Sequence, residues 1–199
     1  MKRLSLAIIF ACCTLALAAQ EGIRVNYQGT KPSISDFVWA YLSSFTDDED
    51  DCIDESTNAF KQAWIKHRNG EPQEEGETLT VDEKNGYVLY EIKQGEHLSK
   101  WEMCYWNEAD QQHKLFAYNV WSYTNGKPSL GQFDTLIFYR YNNATKKMTM
   151  CETPGFEVEY YNTSYSLPHT GKDIIVTKWN DNGTKKQQTL KWNGSKFSF

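Results

Sequence analysis

Residues Lys100–Tyr123, KWEMCYWNEADQQHKLFAYNVWSY, decide the fold. Two runs of β-forming residues, Lys100–Asn107 and Lys114–Tyr123, flank a polar turn, and side chains alternate along each run with a period of two. In the first run Trp101, Met103 and Tyr105 share one face, while Cys104 and Trp106 share the other. A sheet with one side in water reads apolar-in and polar-out. Here both faces of the hairpin want cover.

The pattern repeats outward from this hairpin. Thr78–Val81 and Tyr87–Ile92 flank Asp82–Gly86, with Asn-Gly at the tip. Asp134–Tyr141 and Lys146–Cys151 flank Asn142–Thr145, and Ile174–Trp179 and Lys185–Trp192 flank Asn180–Gly183. Phe156–Tyr161 and Tyr165–Leu167 are shorter strand candidates. Successive hairpins joined by short turns make an antiparallel meander rather than a parallel α/β sheet. An aromatic–Asn/Thr–turn–Lys signature recurs at the hairpin ends without a fixed period, which excludes a propeller or solenoid.

Upstream of Thr78 the period becomes helical. Ser33-Ile34-Ser35-Asp36 has the spacing of a capping box, and Ile34, Phe37, Val38, Tyr41, Leu42 and Phe45 then form one apolar stripe. A second helix runs from a Ser56 cap through Phe60 and Trp64 to His67 and stops at Asn69-Gly70. Glu71–Glu77, with Pro72 and Gly76, reads as a linker. The expected fold class is α+β: two N-terminal helices packed on a strongly curved antiparallel β-meander sheet of about eight strands. Residues 19–199 are expected to form a single domain, helical over about 33–70 and sheet over about 78–199.

The first residues, MKRLSLAIIFACCTLALAAQ, read as a secretory signal peptide. Lys2 and Arg3 precede an apolar run that ends on Ala16-Leu17-Ala18, a small-residue cleavage pattern closing residues 1–18. The run is too short for a membrane span, and lipidation at Cys12 would strand the apolar Thr14–Ala19 segment on the mature chain. A periplasmic or extracellular location is therefore expected. Losing Lys2 and Arg3 takes the formal charge from −5 to −7, which argues against nucleic acid as a partner. Of the five cysteines, Cys52, Cys104 and Cys151 remain, so one disulfide at most is expected, with Cys104–Cys151 the favoured pair.

Catalytic and metal motifs are missing. The four histidines lack zinc spacing, and no G-x-S-x-G, H-E-x-x-H or P-loop occurs, so no cofactor or metal is expected. The acidic run Asp47, Asp48, Glu49, Asp50, Asp51 fails the EF-hand pattern but is suited to gripping a basic partner. Trp101, Trp106, Trp121, Tyr139 and Tyr141 either fill the core or present flat rings to a ligand. The chain is rich in such rings, with 7 Trp, 12 Tyr and 10 Phe.

Three stretches carry a resemblance: Phe138–Tyr141 (FYRY), Leu167–Ile174 (LPHTGKDI) and Leu190–Phe197 (LKWNGSKF). In these the last third of the chain resembles exported proteins of unknown function from gut Bacteroidetes. That resemblance implies a β-rich domain in the periplasm or at the cell surface, and it brings no activity or catalytic residues. The expected function is an exported non-catalytic binding protein, with an aromatic-lined cleft or face taking a glycan or apolar ligand. One alternative is an acidic protein–protein module such as an inhibitor of a cationic hydrolase. Another is a hydrolase whose carboxylates the sequence does not locate. The partner is thus a small ligand or an extracytoplasmic protein.

Overall fold

The computed structural model describes residues 22–45, 55–129, 135–180, 182 and 184–199. Residues 1–18, the acidic run Asp47–Asp51 and Cys52 lie outside the described residues. In chain order the elements are β1 (Ile23–Arg24), α1 (Ile34–Ser43), α2 (Glu55–Asn69), β2 (Glu77–Asp82), β3 (Tyr87–Gln94) and β4 (His97–Asn107). They continue as β5 (His113–Thr124), β6 (Lys127–Pro128), β7 (Thr135–Asn142), β8 (Lys147–Cys151), β9 (Thr163–Ser166), β10 (Ile174–Trp179), β11 (Lys185–Trp192) and β12 (Phe197–Ser198).

The strongly curved antiparallel sheet is present, with eight strands in the order β1-β8-β7-β5-β4-β3-β2 and β6 paired beside β5. Strands β2 to β5, β7 and β8 follow the meander. The short β1 then closes one edge through Ile23↔Met148 and Arg24↔Lys147, so a strand precedes both helices.

What the hairpin pattern did not show is that the last third builds a separate sheet, β12-β11-β10-β9. The chain leaves the first ladder at Thr153-Pro154-Gly155, where Pro154 has no N–H to continue it. Phe197 N–H donates to Pro154 O at 2.8 Å, tying the departing segment to β12. Phe156–Tyr161 is consequently not a strand. Its Phe156 and Val158 pack between the layers, and the Glu159 N–H donates to the Tyr165 hydroxyl at 2.8 Å instead of to a neighbouring strand.

The two apolar faces of the large sheet form two cores. On one side lie the helices. Ser33 and Asp36 form the expected capping box, Ser33 N–H donating to the Asp36 carboxylate at 2.8 Å. This sets α1 so that Phe37 meets Tyr105, Phe116 and Tyr141 at ring distances of 5.3, 5.7 and 5.1 Å. From α2, Phe60 stacks on Tyr90 of β3 at 4.9 Å. On the other side the second sheet covers Trp106, Leu115, Ala117 and Phe138 with Tyr165, Ile174, Trp192 and Phe197. The order of layers is helices, large sheet, small sheet.

A disulfide between Cys104 and Cys151 is not formed, and both thiols are free. They occupy one continuous rung, Cys104↔Ala117, Ala117↔Phe138 and Phe138↔Cys151. Three strand spacings therefore part them, roughly 14 Å, twice the reach of a disulfide. Burial raises the Cys104 thiol pKa, and the Glu102 carboxylate adds to the rise.

Candidate functional site

Helix α2 ends at Asn69-Gly70, with Gly70 in the left-handed region at φ +73°. The chain then folds back toward β3 through Glu74–Gly76. Gly76 has φ +85°, and a Cβ there would lie 2.7 Å from the Lys93 carbonyl oxygen. Lys93 N–H in turn donates to Gly76 O at 2.9 Å. Only glycine permits this approach, and it sets Glu75 and Glu77 on the rim of a cleft beneath α2. The cleft has a volume of about 540 Å³; Ala59 of α2 lies on one side, and Ile92, Gln94, His97, Ser99 and Trp101 come from β3 and β4. Glu74, Glu75 and Glu77 complete it.

The polar groups here are unevenly satisfied. Lys66 pairs with Glu74, which lowers the Glu74 pKa and raises that of Lys66. His97 Nδ1 lies 2.9 Å from the Thr124 hydroxyl. Trp101 is 1% exposed, yet its indole N–H has no hydrogen-bond partner among the described residues. The same holds for the Trp64 indole N–H and the Gln73 side-chain oxygen. Tyr90 stands one strand away from Trp101 on the same rung, with ring centroids 5.1 Å apart. Burial raises the Tyr90 phenol well above its ordinary range, and hydrogen bonding to the Glu77 carboxylate adds to the rise. Unpaired buried polar atoms are rare in folded chains, and of Trp64, Gln73 and Trp101 it is Trp101 that lines the cleft.

The aromatic residues singled out in the sequence do not share one face. Trp101, Tyr139 and Tyr141 lie in the core under the helices, and Trp106 and Trp121 in the core under the second sheet. Trp106 lines a smaller hollow of about 250 Å³ and donates its indole N–H to Lys172 O at 2.8 Å. Trp121 donates to Asn119 Oδ1. Of the cleft's polar lining residues, sequence reasoning missed Glu74, Glu75, Glu77, Gln94, His97 and Ser99. The only signal for the glutamates was their density beside a glycine, in a stretch that reads as linker.

Two other constellations are structural. Glu102 is 2% exposed between the sheets. Its carboxylate accepts from Tyr87 Oη at 2.7 Å, Asn119 Nδ2 at 2.9 Å and Leu167 N–H at 3.1 Å, with Lys100 Nζ 3.2 Å away. With its acceptor sites filled, it joins the layers. Glu108, Asp110 and His113 bring potential ligand atoms within 4.8 Å of one another. Both His113 ring nitrogens are engaged, Nδ1 by Asp110 at 2.6 Å and Nε2 by Asn142 at 3.0 Å. Arg140 Nε donates to Glu108 at 3.0 Å. The cluster fastens the β4–β5 turn.

On the opposite face of the β3–β4 hairpin lies a second hollow of about 530 Å³ that includes Glu91, Lys93, Leu98, Lys100 and Tyr123. Its lysines and glutamates offset one another, and Lys100 is committed to Glu102. No protein-family model, no curated protein and no solved structure matches this chain.

Proposed function

We propose that this is an exported, non-catalytic binding protein that holds a hydroxyl-rich ligand, a glycan, in the cleft beneath α2. The observation that carries the reading is the Trp101 indole N–H, buried and unpartnered in the lining of a cleft that also holds three carboxylates. Hydroxyl groups both donate and accept, so a sugar can satisfy a lone N–H donor and acceptor-only carboxylates together. The volume falls within the roughly 300–1,000 Å³ common for small-ligand sites. Export rests on the Lys2–Ala18 signal pattern and on the resemblance of the C-terminal third to exported gut proteins.

The test is a titration of oligosaccharides into protein labelled with ¹⁵N-tryptophan. The Trp101 indole N–H resonance, assigned by its absence in Trp101→Phe, is expected to shift on binding. The Trp106 resonance, whose N–H already bonds Lys172, is expected to stay in place. A panel of neutral and charged oligosaccharides that leaves the Trp101 resonance unmoved would overturn the reading.

A further inference from the structure

The charges in the cleft are unbalanced. Glu74 has Lys66 as its partner, whereas Glu75 and Glu77 make no ion pair among the described residues and Glu77 has the neutral Tyr90 hydroxyl for its neighbour. Lys66 adds to the field at Glu77 but is bonded to Glu74. A neutral sugar would leave both carboxylates uncompensated, and as it displaced water their mutual repulsion would grow. A protonated amine supplies three N–H donors and the missing positive charge. The Trp101 N–H makes a separate demand, because a donor needs an oxygen acceptor. Both demands are met by one ligand that carries an ammonium group next to hydroxyls.

We infer that the cleft selects an amino sugar with a free, protonated amine, which Glu75 and Glu77 hold while an adjacent hydroxyl oxygen accepts from Trp101. The inference rests on the glycan-cleft reading and specifies its ligand class. A cationic peptide could satisfy the carboxylates, but its charges sit at the ends of long flexible stems, away from any sugar-like array of hydroxyls. Since the rim is open to solvent, the preference is electrostatic and screened by salt.

The experiment is calorimetric titration of a glucosamine oligomer and its N-acetylated counterpart at about pH 6, where the amine is charged. The free-amine oligomer is expected to bind about fivefold to tenfold more tightly. That preference should vanish in the Glu75→Gln/Glu77→Gln variant and shrink as salt rises. Lys66→Gln, which releases Glu74, should enlarge it, giving a change of opposite sign should the double variant fail to fold. Equal or tighter binding of the N-acetylated oligomer would overturn the amine preference and leave the glycan cleft standing. An unmoved Trp101 resonance with both oligomers would remove the amino-sugar assignment, and with the full panel the cleft itself.

Discussion

Glu102 shows how one side chain fixes the relation between two layers. Its carboxylate collects donors from β3, from β5 and from the Leu167 backbone just beyond β9. Asn119 doubles the link by donating also to Tyr165 O at 3.0 Å. Glu102→Ala would strand these donors in an apolar layer and is expected to cost about 3–5 kcal/mol. Glu102→Gln keeps the shape and one acceptor, so its loss should be smaller. Urea unfolding midpoints of the two variants check the order. A second side-chain tie lies close by: His169 stacks on Tyr87 at 4.7 Å and reaches Asp82 at 2.9 Å. The Asn85 side chain and backbone, then His169, hold the Asp82 carboxyl down to about 2.

At the scale of elements, the hinge of the candidate site is the turn between α2 and β2. Gly76→Ala would force a side chain into a left-handed conformation and against the Lys93 carbonyl. An expected loss of about 1–3 kcal/mol follows, and because the turn carries Glu75 and Glu77, oligosaccharide affinity should fall with it. Thermal melting and calorimetry on the same variant read both effects. The helices and the long hairpins were legible in the sequence because their periods are local: Phe37 to Tyr41, or Trp101 to Trp106. The second sheet was not, because the alternation of Phe156–Tyr161 is the same whether its backbone pairs with a strand or with a tyrosine hydroxyl. Two-residue strands such as β1 and β12 carry no period at all. The cleft was half legible. Trp101 stood out as a ring, but the glutamates beside it matter only because Gly76 folds them back onto β3.

For the whole molecule the consequence is mutual dependence of the layers. The large sheet is apolar on both faces, so neither the helices nor the small sheet can be removed without exposing a core. A chain ending at Glu152 would uncover Trp106, Leu115 and Phe138. It is expected to bind a hydrophobic dye and to self-associate on gel filtration, unlike the full chain.

The pairing of β1 with β8 carries a kinetic corollary. As the chain folds, Ile23 must wait for Met148, far along the sequence, before its ladder can close. Contacts so distant along the chain form late, after the meander they border has assembled. Until that moment the outer rim of β8 stands unguarded, and the nascent molecule is then most open to being zipped to another copy of itself.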